Sequence, residues 1–278
     1  MELTLSRGFL AILAKPRNLT TERCIIMLAA ERRNQIMEAL RRDERVLVGP
    51  LALEFGVSEE TIRRDLANLE QLGLAVKCYG GATLADNRNA PPFKVRKKLN
   101  VEEKKSVAAL VAGMVDDGDF LMLDDSSTSY FVLRALHGKK GLTIVTNSIE
   151  IILELSSLHE SWKVISTGGN LDQDVFCFFG RQAEESIRSF HVDKAIISCT
   201  GLDMQGQFTE AGIENANIKQ AMMASSRETI LAMDNHKFDR TAFISVGDVR
   251  QVSAIVTNTD PGPRWREFLA EQNVRLVY

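Results

Sequence analysis

Apolar runs without polar–apolar alternation recur between helical patterns over the last two thirds of the chain. Examples are "GDFLMLD" at residues 118–124, "LTIVTN" at 142–147 and "AIIS" at 195–198. A strand with one face in water alternates, so a continuous apolar run is typical of a strand covered on both faces. The helical patterns lie at residues 127–136, 148–157, 180–188, 211–224 and 264–271. Their alternation with the apolar runs predicts a three-layer α/β domain built on a parallel sheet.

The first part of the chain has shorter helical patterns and a turn that contains glycine. The segment "ERRNQIMEALRRDERV" places Ile36, Met37 and Leu40 on one face, as in an amphipathic helix. A second helix follows in "GPLALEFG", whose Gly56 suits a helix end or a tight turn. A third helical pattern comes directly after it. Three helices with this short turn predict a helix-turn-helix arrangement.

The third helix, "SEETIRRDLANLEQLG", has two distinct faces and is expected to end near Gly73. At about 100° per residue, Ile62, Leu66 and Leu69 share an inner face, and Arg64 lies nearly opposite them. The outer side also carries Glu60, Thr61, Asn68 and Gln71, with Arg63 on a flank. Side chains that donate and accept hydrogen bonds therefore cover the outer face.

In a helix-turn-helix this outer face enters the DNA major groove, where an arginine can bind guanine or a phosphate. Beyond the helix, "LAVKCYGGATL" predicts two short extended segments, which form a wing. Ser58 suits the N-cap of the third helix. The predicted DNA-binding residues are Ser58, Glu60, Thr61, Arg63, Arg64, Asn68, Lys77, Tyr79, Gly80 and Gly81.

A solvated helix face is the alternative interpretation, in which the arginine pair only meets the nearby carboxylates of Glu59, Glu60 and Asp65. That alternative leaves the preceding short helix, the turn, the cap and the wing unexplained, so the DNA interpretation is preferred. We expect Asp65 to pair locally with an arginine and to fix its rotamer.

Small polar residues follow several of the predicted buried strands. In "LDDSSTS", Ser126, Ser127 and Thr128 can offer hydroxyl and N–H groups to an anion at a helix start, although plain helix capping explains them equally well. The segments "VTNS" and "STGG" also end strands, where open α/β sheets bind their ligands. These loops supply the further candidates Thr146, Asn147, Gly168 and Gly169.

The first unit resembles the DeoR family of bacterial transcriptional regulators. The resemblance is carried by "SEETIRRDL", by Arg32, Ile36 and Leu40 at regular spacing before it, and by "YGGA" after it. It extends over residues 28–278. It implies a winged helix-turn-helix that binds an operator, usually as a repressor. It also implies a Rossmann-like C-terminal domain that resembles ribose-5-phosphate isomerase and senses a phosphorylated sugar or related metabolite.

The same resemblance implies effector-binding residues. Asp124 and Ser127-Thr128 match the family pattern D-x-G-[ST]-T, with Ser126 in place of its glycine. "AMDNHKFDR" matches D-x-S-K-F, with His236 where serine is typical. The effector residues that the resemblance adds are Asp203, Lys219, Asp234 and Lys237.

Glu214 is a further candidate. It lies five residues before Lys219 on a predicted helix, which keeps the two side chains near one side of that helix. For Lys219 the ordinary alternative is a lysine that faces solvent. For Asp234 and Lys237 the ordinary alternative is an ion pair with a purely structural role at one strand end.

The organisation along the chain follows from these patterns. Residues 28–85 are expected to form the DNA-binding domain, 86–94 a polar linker with prolines, and 95–278 the sensing domain. Residues 1–27 are interpreted as an extension ahead of the fold, disordered or produced by an upstream start. Their apolar run is too short to span a membrane, and a signal peptide is the weaker interpretation.

Charge and cysteine usage limit the possible partners. Residues 1–100 hold 17 Lys/Arg and 12 Asp/Glu, a net charge of +5, whereas residues 101–278 hold 17 and 25, a net charge of −8. This asymmetry favours an anionic partner for the first part only. The four cysteines and four histidines are scattered, which is typical of a reduced cytosolic protein and predicts no metal site. We expect no cofactor and no membrane partner.

Three functions remain in competition at this point. The first is an effector-gated repressor that binds double-stranded operator DNA as a homodimer or homotetramer. The second is a sugar-phosphate isomerase with an appended DNA-binding head, whose proton transfer would use Asp203, Glu214 and Lys219. The third is a structural DNA-binding protein without a ligand. The first is preferred and no catalytic residue is assigned, because the phosphate loop lacks its glycine.

Overall fold

The computed structural model describes residues 28–71, 74–84, 91–158, 161–173 and 175–278. The predicted extension at residues 1–27, the predicted helix end near Gly73 and most of the predicted linker lie outside the described residues.

The first unit is a helix-turn-helix with a small antiparallel sheet. Its elements are α1 (Ala29–Asp43), β1 (Arg45–Leu47), α2 (Val48–Glu54), α3 (Glu59–Gln71), β2 (Ala75–Cys78) and β3 (Gly81–Leu84). The wing predicted from sequence contains β2 and β3, and β1 adds a third strand in the order β1-β3-β2. A Cβ atom at Gly81 would lie 1.9 Å from the carbonyl oxygen of Val46, so only glycine allows β1 to approach β3 this closely.

The apolar faces predicted for the first and third helices form one core. Ile36 and Leu40 of α1 pack with Ile62, Leu66 and Leu69 of α3, and each of the five side chains is at most 1% exposed. Between the helices, Gly56 has a φ of +62°, which suits glycine in the tight turn. The prediction of the buried face of α3 is confirmed.

Asp65 does not pair locally, and that expectation was wrong. Its Oδ2 accepts a hydrogen bond from Nε of Arg32 at 2.6 Å, and its Oδ1 lies 3.3 Å from Nη1 of Arg33. Both arginines belong to α1, more than 30 residues away in sequence. Asp65 lies beside the buried face of α3, so its carboxylate points towards α1 and not towards the exposed arginines of its own helix. The ion pair joins the two helices and leaves Arg63 and Arg64 outside.

The second unit contains a seven-stranded parallel sheet between helices. Its first elements are α4 (Phe93–Arg96), α5 (Val101–Ala112), β4 (Phe120–Leu123), α6 (Ser127–Ala135), β5 (Thr143–Thr146), α7 (Ile149–Leu158), β6 (Lys163–Ser166), β7 (Asn170–Asp172), β8 (Cys177–Phe179) and α8 (Arg181–Arg188). The rest are β9 (Val192–Ile197), β10 (Gly201–Leu202), β11 (Gln207–Glu210), α9 (Ile213–Ala224), β12 (Ser226–Ala232), β13 (Ile244–Asp248), β14 (Ala254–Val256), α10 (Pro263–Glu271) and β15 (Arg275–Val277).

The strand order explains where this sheet can bind a ligand. The order is β15-β14-β12-β9-β4-β5-β6, so successive connections leave β4 and β9 in opposite directions. Ligands of open α/β sheets bind at such a switch point, outside the carboxyl ends of the strands. A ligand-binding site is therefore expected at the residues that directly follow β4 and β9. The α/β fold predicted from the apolar runs is confirmed.

Two parts of the second unit were not anticipated. The run "TAFISV" contains the start of β13, which pairs antiparallel with β11 in a separate three-stranded sheet rather than in the parallel one. α4 and α5 also precede the first predicted strand. α5 packs on the sheet through Val107, Ala108 and Val111, which are at most 1% exposed.

Replacing Asp65 with alanine is expected to lower the free energy of unfolding of the first unit by about 3–5 kcal/mol, because Arg32 would remain buried without its carboxylate. Urea denaturation followed by circular dichroism measures the change. Asp43→Ala is the control, since the ion pair of Asp43 with Arg42 is exposed and should contribute little. Equal effects of the two substitutions would contradict the structural role of Asp65.

Candidate DNA-binding surface and effector cavity

The outer face of α3 exposes its two arginines beside a capped helix start. The side-chain oxygen of Ser58 accepts a hydrogen bond from the N–H of Thr61 at 3.2 Å, as predicted for an N-cap. Arg63 and Arg64 have side chains that are 57% and 81% exposed. We call the outer face of α3 together with the wing the recognition surface.

The exposed ion pairs expected for a solvated helix face do form on this surface, but they hold the two arginines only weakly. Arg63 lies 2.6 Å from Glu59, and Arg64 lies 3.4 Å from Glu60. Such exposed pairs contribute little to stability, so a phosphate or a guanine can replace the carboxylate partner. Glu60 is exposed, and Thr61 and Asn68 are half-buried.

The wing places its predicted residues around a tight turn. Tyr79 is 99% exposed, and Gly80 has a φ of +75°. Lys77 pairs with Glu70 of α3 at 3.2 Å, which ties the wing to the third helix. Gly81 is buried against β1, so its role is the close strand contact rather than an exposed contact to DNA.

A cavity of about 170 Å³ lies at the switch point of the parallel sheet. A cavity holds one water in about 10–15 Å³ on this measure, so there is room for a small metabolite. Its polar wall comes from the loops after β4 and β9 and from α9, and Met37, Leu74 and Leu84 of the first unit also line it. Of the effector residues predicted from sequence, the cavity is lined by Ser126, Ser127, Lys219, Asp234 and Lys237.

A buried ion pair forms part of the cavity wall. Nζ of Lys219 contacts Oδ2 of Asp124 and lies 3.4 Å from Oε1 of Glu210. Burial alone would raise the pKa of Asp124, but the charge of Lys219 and hydrogen bonds from Lys219, Ser126 and Ser129 outweigh it and hold that pKa below its usual value. Burial alone would lower the pKa of Lys219, but the carboxylates of Asp124 and Glu210 outweigh it and hold that pKa above its usual value.

The loop after β4 does not need the glycine that the family pattern carries. Ser126 has φ −73° and ψ 149°, an ordinary extended conformation, and its Oγ caps α6 by accepting from the N–H of Ser129 at 3.0 Å. Capping therefore occurs, and Ser126 and Ser127 also line the cavity. The hydroxyl of Thr128 is buried and has no hydrogen-bond partner among the described residues.

Asp125 is a buried carboxylate in the cavity wall. Its Oδ2 accepts from Nδ2 of Asn215 at 3.1 Å and lies 3.5 Å from Nη2 of Arg96. Its Oδ1 is buried without a partner among the described residues. Burial and the neighbouring Asp125 carboxylate raise the pKa of the Cys177 thiol, so this thiol is the protein group that lies beside Asp125.

Cations outnumber carboxylates in the cavity wall. The wall has five Lys or Arg side chains and three Asp or Glu side chains. Nζ of Lys237 donates to Oγ of Ser198 at 3.1 Å and to the carbonyl of Cys199 at 2.7 Å. Nζ of Lys104 donates to the carbonyls of Arg96 and Leu99, each at 2.6 Å. Lys219 is already paired with Asp124, so Lys237 and Arg96 are the cations of the wall that favour an anionic ligand.

Lys104 is a site residue that the sequence did not indicate. Burial lowers its pKa from 10.5 to about 7, and the positive charges of Lys237 and Arg96 act in the same direction. The patterns around it are those of an ordinary amphipathic helix start. Arg96, Asp125, Glu210 and Asn215 were also missed, because their approach depends on packing between distant elements.

Several predicted effector residues lie away from this wall. Asp203 accepts hydrogen bonds from the N–H groups of Gln205 and Gln207 in the turn between β10 and β11. Glu214 is exposed on α9. Thr146, Asn147, Gly168 and Gly169 also lie outside the cavity lining. The acid–lysine set of the isomerase alternative is therefore not assembled, since Lys219 meets Asp124 and Glu210 instead.

The described residues contain no group of three or more His, Cys, Asp or Glu side chains arranged to hold a metal ion. None of the helices among them is long and apolar enough to cross a membrane.

These features define a winged helix-turn-helix regulator with an α/β sensing domain. The profile of the DeoR-like helix-turn-helix domain matches residues 32–88, and that of the DeoR C terminal sensor domain matches residues 99–259. The chain belongs to the DeoR family and is a DNA-binding transcriptional regulator, not an enzyme.

Named relatives cover most of the chain. An uncharacterized HTH-type transcriptional regulator of Bacillus subtilis, YulB, is 34% identical over 90% of this chain and 97% of its own. The glycerol-3-phosphate regulon repressor of Escherichia coli is 30% identical over 90% of this chain and 99% of its own. Ribose 5-phosphate isomerase A of Neisseria gonorrhoeae aligns with 49% of this chain and 52% of its own, at 18% identity and a TM-score of 0.35, which is too distant to bear on function.

Replacing Lys104 with methionine is expected to remove a pH dependence of stability. Below pH 7 both the folded and the unfolded chain hold the proton, whereas between about pH 7 and 10.5 only the unfolded chain does. Over that range Lys104 makes the free energy of unfolding rise with pH, by up to about 1.4 kcal/mol per pH unit. Chemical denaturation between pH 7 and 9 measures the difference between wild type and variant.

The control for this measurement is Lys105→Met, which changes an exposed lysine of the same helix. It should leave the slope of stability against pH as in the wild type. A slope that persists in Lys104→Met would mean that another group loses the proton.

Proposed function

We propose that this protein represses a carbohydrate-utilisation operon, and that a phosphorylated sugar or related metabolite in the cavity controls its operator affinity. The observation that carries the effector class is the presence of polar side chains, Ser126, Ser127 and Asn215, beside the cations Arg96 and Lys237 in one cavity. The hydroxyl groups of a sugar suit the polar side chains, and a phosphate suits the cations. The relative that represses the glycerol-3-phosphate regulon supports the same class of metabolite.

The recognition surface is proposed to bind the operator. The N-terminal residues of α3 enter the major groove, where Arg64 contacts a base or a phosphate, and the wing with Lys77 and Tyr79 follows the adjacent backbone. Helix-turn-helix proteins bind two half-sites through a two-fold axis, so we infer a homodimer or a homotetramer. Because an operator lies on the chromosome, we also propose that the protein acts in the cytoplasm.

Effector control follows from linkage between the two sites. A metabolite that prefers one arrangement of the domains shifts operator affinity, commonly by about 1–3 kcal/mol of coupling. The test has two parts. Purified protein selects operators from genomic fragments, and thermal shift against glycerol 3-phosphate, ribose 5-phosphate, fructose 6-phosphate and glucose 6-phosphate detects effectors. Selection of a discrete operator and a shift with one compound are expected, and no response to any compound would favour a ligand-free DNA-binding protein.

Replacing Arg64 with alanine is expected to weaken operator binding by about 1–3 kcal/mol, since a contact to a base or phosphate is lost. Fluorescence anisotropy with a labelled operator duplex measures it. Arg181→Ala is the matched control, because Arg181 forms a similar exposed pair with Glu185 on α8, outside the recognition surface. Unchanged binding by Arg64→Ala would place the recognition surface elsewhere.

Replacing Lys237 with alanine is expected to leave operator binding intact and to abolish the response to the effector, because a cation of the cavity wall is lost. The measurement is operator affinity with and without the sugar phosphate that shifts the wild type. Lys139→Ala is the control, since Lys139 also donates to a main-chain carbonyl but does not line the cavity. A normal response in Lys237→Ala would mean that the effector binds at another site.

A further inference from the structure

The short helix α4 connects the hydrophobic cores of the two units. Phe93 is 1% exposed and belongs to the core of the second unit, beneath α5 and α6. Val95 is 7% exposed and belongs to the core of the first unit, with Ile36 and Leu66. Two residues of a single helical turn are thus fixed in different cores. Because close-packed cores do not deform continuously, a displacement of α4 must change the packing of at least one of the two cores.

The same helical turn contributes Arg96 to the cavity wall. Nη2 of Arg96 lies 3.5 Å from both Oδ2 and the carbonyl oxygen of Asp125, and Nε donates to the carbonyl of Pro91 at 3.1 Å. The contacts to Asp125 are at the outer limit of a hydrogen bond, and Nη1 is used by neither residue. The guanidinium also lies over the ring of Phe93, at 5.6 Å from its centroid, so its long contacts to Asp125 are the ones that an anion in the cavity can replace.

Lys104 connects the end of α4 to the same place. Its ammonium group donates to the carbonyl oxygens of Arg96 and Leu99, and Leu99 packs against the core of the first unit. Burial and the neighbouring charges of Lys237 and Arg96 disfavour the positive charge of Lys104, and an anion placed among the three side chains would offset this repulsion. An anionic ligand thus interacts with α4 at its C-terminal end.

We propose that Arg96 senses the anionic group of the effector and that α4 transmits its displacement to the DNA-binding domain through Val95. This inference rests on the proposed function, because it requires a phosphorylated metabolite in the cavity. In the free protein Arg96 faces Asp125. With the metabolite bound, the phosphate takes the guanidinium, Asp125 accepts from a hydroxyl group of the metabolite, and α4 moves relative to one of its two cores. The exchange of partners supplies the differential affinity that coupling requires.

The first experiment compares Arg96→Gln with the wild type in the full chain. The probes are glycerol 3-phosphate, ribose 5-phosphate, fructose 6-phosphate and glucose 6-phosphate. Calorimetry gives the Kd of each probe, and anisotropy gives operator affinity with and without saturating probe. Arg96→Gln should weaken probe binding about 10- to 100-fold, the loss of one charged hydrogen-bonding partner. At saturating probe it should also lose most of the change in operator affinity.

Two further variants keep this result interpretable. Arg96→Lys retains the charge and should recover part of the probe affinity. Arg227→Gln removes an arginine that pairs with Asp193 at the opposite end of the sheet, and it should behave as the wild type in both measurements. If Arg96→Gln kept the full change in operator affinity at saturating probe, the sensing role of Arg96 would be overturned.

The second experiment separates transmission from binding. Val95→Ala should bind the probe as the wild type does but lose much of the probe-dependent change in operator affinity. Val46→Ala is the matched control, because it removes the same two methyl groups from the same core through β1 instead of α4. It should retain the change. An equal loss of coupling in both variants, or in neither, would overturn transmission by α4.

The outcomes distinguish this inference from the function on which it rests. If the wild type bound none of the four probes, the proposed effector class would be wrong and the inference would fall with it. If the wild type bound a probe and changed operator affinity while Arg96→Gln and Val95→Ala did the same, the proposed function would stand and only the role of α4 would be rejected.

Discussion

The ligand-facing end of the sheet is organised around one buried carboxylate, Asp124. It follows β4, accepts from the N–H of Ser198 after β9 at 2.8 Å, and pairs with Lys219 of α9. Three elements that are distant in sequence thereby meet at the switch point. Removing either charge would leave the other buried without a partner, which costs several kcal/mol, so the pair holds the strand ends and α9 in one arrangement. Asp125, Ser126 and Ser127, which follow Asp124 in the same loop, line the cavity beside this arrangement.

The cavity is shared by two domains, and this sharing gives a physical basis for regulation. Apolar residues of the first unit, among them Met37, close one side, and the cations and Asp125 of the second unit form the other. His236 lies between the two units, with Nε2 3.9 Å from Glu38 of α1 and 4.0 Å from Glu103 of α5, beyond hydrogen-bonding distance. A ligand at this position touches groups on both sides, and its binding free energy therefore depends on how the domains are arranged. No long pathway between distant sites is needed.

How far the sequence could predict the protein depends on the range of the interaction. The inner face of α3, the N-cap at Ser58 and the wing follow from local spacing and were predicted. The antiparallel placement of β13 was not, because an apolar run does not specify its partner strand. Asp65 shows the same limit, since its neighbours Arg63 and Arg64 were obvious candidates in sequence and its real partners lie on another helix. A carboxylate beside a buried face turns to the cation that packing places there.

The sequence by itself determined the α/β class, the inner faces of α1 and α3, the wing and the family, because periodicity, helix caps and glycine turns act over a few residues. It also placed Lys219 and Lys237 among the candidates through the family resemblance. Only the tertiary structure decided that Lys219 pairs with Asp124 and Glu210, that Asp203 and Glu214 lie elsewhere, and that Arg96 and Lys104 belong to the cavity. The physical reason is that the environment of a buried charge is made by elements far apart in the chain, which meet only when the cores are packed.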